Sequence, residues 1–531
     1  MSRQIEEIPL IAFKLDPSSH IPLYKQLYIK TRNAILEGKF IKGQKLPGTR
    51  SLASELKISR NTVALAFAQL FIEGYITGQI GSGTYISEIP DNFFDPAKRP
   101  IRINTAGKKN GKIKKTYSEN PEIQAAEIRQ ITDNNETADR TGLRFLEKLK
   151  TSAGPSELIS RYRNLDEIRA FQNGIPSFSE FPFKTWQKLI NRASQCFNSM
   201  HLGYGDAAGY KPLREAVANY LRKFRAVNCT AEQIIIINGT QQGLDLISRV
   251  LLKPGNTVWL EDPGYFGARG AMIFADAVIF PCPIDKEGLD IEYAAKNNPA
   301  PRLIFTTPSH QFPLGYVMSI SRRLKLLQYA GRHGSWIIED DYDSEFRYSG
   351  SPLPSLQGLD QYKRVLYLGT FSKVLFPGLR IGYIVLPDKE MGDLFATVKS
   401  LTDRQNPIFE QVLLAKFIEE GHFAVHLRKM RMLYKKRQEF LVAEVKKELK
   451  GFVKIEASPA GMHIILQLPK KSNDKKISEE ALKRGIIVRP LSEYSIKFFP
   501  NPGLLLGYTA FEENQIREGI RELKLILTKS L

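Results

Sequence analysis

The run YLGTFSKVLFPGLR sets one amine, Lys373, beside two hydroxyls, Thr370 and Ser372, with a guanidinium, Arg380, seven residues on. An amine in such company is a nucleophile next to groups suited to a phosphate dianion. A second run, SWIIEDDYDSEF, starts an acid cluster at the carboxyl end of an apolar strand, the edge where open α/β sheets bind ligands. Asp340 is its candidate for pairing with a protonated ring nitrogen, and Tyr342 follows two residues later. LEDPGYFGARG offers the aromatic face of Tyr265, and TPSHQFPLG holds His310 in a loop. IIIINGTQQGLDLI reads as a strand, a Gly239-Thr240-Gln241 turn and a helix with apolar Leu244, Ile247 and Leu251. The backbone N–H groups at that helix start form an anion site. Each piece has a plainer reading alone: a surface lysine, acids favoured by a helix dipole, a turn tyrosine. Their joint presence and order favour one site.

An imine-forming lysine, an acid for a ring nitrogen, an aromatic face and a phosphate cradle are what pyridoxal phosphate requires. The pattern T-x-S-K, followed by Gly378 and Arg380, resembles the lysine motif of class I/II (fold-type I) aminotransferases. The spacing of 33 residues from Asp340 to Lys373 is similar to that family's. With YGDAAGYKPLREAVANYL and GIPSFSEFP, the resemblance covers about residues 166–531. It implies that Lys373 is the catalytic lysine, joined to the cofactor as an aldimine. It also implies Asp340 at the ring nitrogen, Tyr342 at the phenolic oxygen, Tyr265 stacked on the ring and His310 in the loop beside it. Gly239, Thr240, Gln241, Thr370, Ser372 and Arg380 would hold the phosphate. One position departs. Class I aminotransferases carry an arginine near the C-terminus that grips the substrate carboxylate, and in GLLLGYTAF that place is taken by Leu505. Arg269 or Arg489 would have to substitute, which weighs against efficient transamination.

The elements that position these residues read as apolar strands interleaved with helices: IIIING, NTVWLED, RLIFTT, SWIIEDD, RVLYLGT and RIGYIVLP. Such alternation implies an α/β domain with a mainly parallel sheet. A smaller α/β region follows from about residue 410, ending in a helical pattern from Glu512.

Residues 1–90 read differently. A helix is expected over about Pro22–Glu37, with Leu23, Leu27, Ala34 and Ile35 as its apolar stripe. A short helix over Arg50–Lys57 and a second from about Arg60, capped by Ser59, follow. Val63, Phe67, Leu70 and Phe71 are its expected buried stripe, leaving Arg60, Asn61 and Thr62 at the exposed N-terminal end. In a helix-turn-helix that end reaches base edges in the major groove. Tyr75–Thr77 and Thr84–Ile86 read as two strands around GQIGSG, a wing. The run LPGTRSLASELKISRNTVALAFAQLFIEGYITGQIGSGTYI resembles the winged helix-turn-helix of GntR-family regulators, with Gly48 where the family usually has Ser. The resemblance implies that Arg50, Arg60 and Thr62 contact operator DNA, with Gly83 in the wing close to phosphates. A GntR-type winged helix joined to an aminotransferase-like domain is similar to the MocR subfamily, the type that includes GabR regulators. That resemblance implies a head-to-tail homodimer.

Between them, residues 91–165 read as a charged linker, with local helix around Glu122–Gln130 and eight basic residues and no acid between Lys98 and Lys115. The formal net charge of +20 over 531 residues suits a polyanionic partner. Three widely spaced cysteines, Cys196, Cys229 and Cys282, argue against a disulfide framework or a metal site and fit a reducing cytoplasm. The longest apolar runs are strand-length, so no membrane span is expected, and the N-terminus has no apolar stretch of a secretory signal. The leading expectation is a DNA-binding regulator whose pyridoxal-phosphate domain senses an amine, an amino acid or the cofactor itself. The alternatives are an active aminotransferase with a fused winged helix and a general DNA binder.

Overall fold

The computed structural model describes residues 15–86 apart from 18, 20, 37, 38, 42, 73, 74 and 80–82, and residues 169–530 apart from 350–352. The chain divides into two compact units, within residues 1–119 and 120–531. The expected linker over 91–165, its helix near Glu122, its basic block, the domain start at 166 and the tip of the wing turn lie outside the described residues.

In the first unit, helix α1 (Leu23–Leu36) starts after Pro22, whose carbonyl accepts from the N–H groups of Lys25 and Gln26. A proline there loses nothing, because its missing donor would have no helical acceptor. Helix α2 (Thr49–Glu55) and helix α3 (Arg60–Ile72) follow. Ser59 caps α3: its Oγ accepts from the Thr62 N–H at 3.1 Å. Strands β1 (Lys45–Leu46), β2 (Ile76–Gln79) and β3 (Gly83–Ile86) form an antiparallel sheet in the order β1-β3-β2. Leu27, Leu46, Leu52, Val63, Phe67, Leu70, Ile76 and Ile86 close the core between helices and sheet. This is a winged helix-turn-helix. Phe71 corrects the sequence reading, because its side chain is 55% exposed. At 100° per residue, Val63, Ala66, Phe67 and Leu70 share the inner face and Phe71 is turned off it.

The second unit is built on an eight-stranded sheet, ordered β4-β11-β10-β9-β8-β5-β6-β7. The strands are β4 (Ile234–Ile237), β5 (Thr257–Asp262), β6 (Val278–Asp285), β7 (Gly288–Leu289), β8 (Leu303–Thr306), β9 (Trp336–Asp341), β10 (Val365–Thr370) and β11 (Gly382–Val385). Strands β6, β5, β8, β9 and β10 run parallel, while β11 is antiparallel to both its neighbours. The carboxyl ends of β4, β9 and β10 therefore point the same way. Buried Ile235, Ile237, Leu260, Ile338, Leu366 and Leu368 pack on Leu244 and Ile247 of helix α4 (Thr240–Leu251). Strand β6 is absent from the sequence reading, since Pro281 and Pro283 interrupt it; it lies near the edge, flanked outside only by two-residue β7.

A four-stranded antiparallel sheet completes this unit, with β12 (Lys454–Ile455), β13 (His463–Gln467), β14 (Arg489–Pro490) and β15 (Gly503–Gly507) in the order β12-β13-β15-β14. Helices α5 (His422–Glu448) and α6 (Glu513–Ser530) belong to the same region.

Candidate functional site

Strand alternation separates the acids of β9. Glu339 accepts from the N–H groups of Leu356 and Gln357, both at 2.9 Å. Asp341 binds Arg225 at 2.6 Å and accepts from the Tyr367 hydroxyl. Asp340, between them, faces a cavity of about 520 Å³. Its Oδ1 is buried without a hydrogen-bond partner. Burial, reinforced by Asp341, Glu261 and Asp343, pushes the Asp340 carboxyl up to about 8. A buried acid with an unanswered oxygen suits a cationic N–H donor.

Beyond β10 the chain turns sharply, with the Ser372 N–H donating to Thr370 Oγ1 at 3.1 Å, and this turn delivers Lys373 to the cavity. Its Nζ donates to the Gly174 carbonyl at 3.0 Å. Burial holds the ammonium below the usual lysine range; Arg489 acts in the same direction, while Asp343 and Asp340 oppose it. Gly174 has φ +73°, and a Cβ there would stand 2.5 Å from Lys373 Nζ, so only glycine leaves the amine its place.

At the other end of the cavity, β4 runs into Gly239, Thr240 and Gln241 at the start of α4. Arg380 reaches over Gly239, its Nη2 donating to the Asn238 carbonyl at 2.7 Å. Ser372 Oγ is buried there without a partner. Helix N-terminal amides, a guanidinium and an unused hydroxyl fit a phosphate.

Between these ends, Tyr265 and Tyr342 form the aromatic walls, each edge-to-face with Phe312, at 6.1 and 5.9 Å between centroids. Burial pushes the Tyr265 hydroxyl up to about 12, so it stays neutral.

The cavity thus gathers Lys373, Asp340, Tyr342, Tyr265, Thr370, Ser372, Arg380, Gly239, Thr240 and Gln241. His310 is the exception, because it is buried behind the cavity wall. Its Nδ1 lies 3.0 Å from the Tyr342 hydroxyl and 3.0 Å from Asp343 Oδ2, and its ring lies 5.0 Å from that of His463, so it meets the cavity through Tyr342 and His463, which both line it. Gly461 leaves the ring its space, since a Cβ there would clash with it. Phe312, His463, Arg489 and Tyr494 also line the cavity, and of these only Arg489 stands out in the sequence. His463 carries a lone signal, a histidine in an otherwise apolar strand, and burial keeps it neutral by lowering it to about 3.

Leu505 is fully buried in β15, directly across from Arg489 of β14. Residues opposed in an antiparallel pair share a sheet face. Arg489 thus stands one strand away from Leu505, and it lines the cavity. Arg269, the other candidate, is buried in the helix Phe266–Phe274 and does not line the cavity.

In the first unit, Arg50, Arg60 and Asn61 are exposed. Thr62 is half-buried, with its hydroxyl 2.8 Å from Ser59 Oγ, so it serves the helix cap. Gly83 opens β3 with φ +121°, and a Cβ there would stand 2.7 Å from the Lys45 side chain. Among the described residues, no helix is long and apolar enough to cross a membrane.

A winged helix-turn-helix and a fold-type I aminotransferase domain together define a DNA-binding regulator class with an enzyme-derived second domain. Residues 172–521 match the family model "Aminotransferase class I and II", and residues 23–86 match "Bacterial regulatory proteins, gntR family". The chain is 37% identical to the probable rhizopine catabolism regulatory protein MocR of Rhizobium meliloti, over 96% of this chain and 94% of that one. It is 35% identical to the uncharacterized HTH-type transcriptional regulator YdeL of Bacillus subtilis (strain 168), over 96% and 98%. The kynurenine aminotransferase of Pyrococcus horikoshii, solved in complex with PMP, superposes with TM-score 0.64 at 30% identity, over 70% of this chain and 94% of that one. The chain belongs to the class I and II aminotransferase family, in the branch of HTH-type regulators that carry a GntR domain.

Proposed function

We propose that this protein is a transcriptional regulator that holds pyridoxal phosphate at Lys373 and adjusts its grip on operator DNA when an amine-bearing ligand enters that site. The observation that carries the reading is the convergence of Lys373, the unpartnered Asp340 Oδ1 and the unpartnered Ser372 Oγ on one cavity, in a chain with a winged helix. When bound, the cofactor supplies an aldehyde that condenses with primary amines and a ring that withdraws electrons. Lys373 offers the amine, and its lowered pKa raises the fraction that is neutral and nucleophilic. Asp340 balances a protonated ring nitrogen, and Tyr342, steadied by His310, offers a hydroxyl toward the phenolic oxygen. Gly239, Thr240, Gln241, Thr370, Ser372 and Arg380 hold the phosphate, and Tyr265 covers the ring. Arg489 adds a guanidinium suited to a carboxylate, which favours an amino acid over a plain amine as effector. Arg50, Arg60, Asn61, Thr62 and the wing at Gly83 meet double-stranded operator DNA. The working unit is a head-to-tail homodimer.

An active aminotransferase is the second reading, favoured by Arg489 in the cavity. Mixing the pyridoxal-phosphate-loaded protein with each of the twenty amino acids and 2-oxoglutarate separates the two. The regulator reading expects spectral binding with little release of new keto acid. Sustained turnover with an operator affinity that no amino acid changes would overturn it.

A further inference from the structure

Helix α3 presents an unusual outer face. Asn61, Ala64, Leu65 and Ala68 follow the i, i+3, i+4, i+7 spacing and are all exposed, opposite buried Val63, Ala66, Phe67 and Leu70. Leu65 is 50% exposed. A helix face meant for water carries charges, yet after Asn61 this one is apolar, and α3 contains no acidic residue. Exposed Arg60 opens the helix, and exposed Arg50, Lys57 and Lys45 lie in the same unit. An apolar strip that starts one turn after Arg60 and holds no acid, in a unit with further exposed cations, complements a polyanion that displays apolar groups. In the major groove of duplex DNA only thymine presents one, its C5-methyl. Two alanines let the helix backbone approach the base edges, and Leu65 supplies reach. Phe71 is exposed as well, but its ring lies against Gly78 of the wing, where a Cβ would stand 3.5 Å from it.

We propose that the Ala64-Leu65-Ala68 strip of α3 reads thymine methyl groups in the major groove, beside Arg60 and Asn61, so that the operator half-site contains thymines opposite this strip. The proposal rests on the DNA-binding reading above. Its test uses the full chain and a duplex enriched from a random pool, compared with a copy in which uracil replaces every thymine, removing only the methyls. Wild type is expected to bind the uracil copy at least about fourfold more weakly, the worth of one buried methyl-sized group. Leu65→Gln, a change at an exposed helix position, is expected to weaken binding to the thymine duplex and shrink the thymine-to-uracil ratio. Leu65→Met should preserve the ratio, and unchanged melting of all three proteins confirms folding. Equal wild-type affinity for both duplexes overturns the proposal, as does a full ratio in Leu65→Gln, which would leave the strip to a protein surface such as a second copy. If the pool yields no enriched duplex, the DNA-binding reading fails and this inference falls with it.

Discussion

Asp340 ties electrostatics to function most directly at the scale of single residues. Its folded pKa of about 8 stands well above the roughly 3.9 of an unfolded chain. In the cofactor-free protein the native state therefore keeps a proton that the unfolded chain has released. Stability falls as pH rises between about 4 and 8. Asp340→Asn removes that loss, so the cofactor-free variant should melt above cofactor-free wild type by a margin that widens across this window. Added pyridoxal phosphate should reverse the order, because an amide cannot balance a pyridinium charge. Melting curves at pH 5 and 8.5, with and without the cofactor, check this; a margin independent of pH would remove Asp340 from the role. Lys373→Ala should abolish borohydride fixation of the cofactor, read by peptide mass at residue 373, and labelling of another lysine at the same site would reassign the amine. The cavity set is legible in the sequence because its pieces sit at fixed spacings beside apolar runs. Phe312 is not, since a phenylalanine differs little in type from ordinary core residues, and the lone histidine His463 does not reveal which way it faces, because only packing aims both inward. His310 stands out in the sequence, but its place does not: Asp343, thirty-three residues away in sequence, holds its ring behind Tyr342.

At the scale of elements, α3 depends on its cap. Ser59→Ala should cost about 1 kcal/mol of first-unit stability, because Ser59 Oγ serves the Thr62 N–H. Chemical denaturation of that unit measures it. Arg60→Ala should cost about 1–3 kcal/mol on the specific operator and less on scrambled DNA. An unchanged preference for operator would move base reading away from this residue. Strands β4, β5, β8, β9, β10 and β11 are legible because a sheet covered on both faces needs continuous apolar runs. The prolines hide β6, and the pairing of Arg489 with Leu505 cannot be read at all, since the connection between two-residue β14 and β15 is too long to act as a hairpin turn that fixes the register, which tertiary packing sets instead.

For the whole molecule, the two units carry different chemistry on one chain, and regulation requires a free-energy coupling between them. The basic run from Lys98 to Lys115 should add DNA affinity without sequence preference. Every phosphate that this run neutralises should steepen the slope of log K against log salt by about 0.9, so replacing its lysines with glutamine should flatten that slope. A salt titration on operator and scrambled duplexes checks that both weaken alike. The central claim is the coupling itself. By linkage, a ligand that binds at Lys373 and shifts operator affinity must itself bind more or less tightly when operator is present. The most direct measurement is operator affinity of the pyridoxal-phosphate-loaded protein, with and without each of the twenty amino acids, for wild type and Lys373→Ala. At least one amino acid should change wild-type affinity by roughly 5- to 150-fold, the usual span of such couplings, and leave Lys373→Ala unmoved. No shift with any amino acid or with the cofactor, or an equal shift in both proteins, would contradict the account.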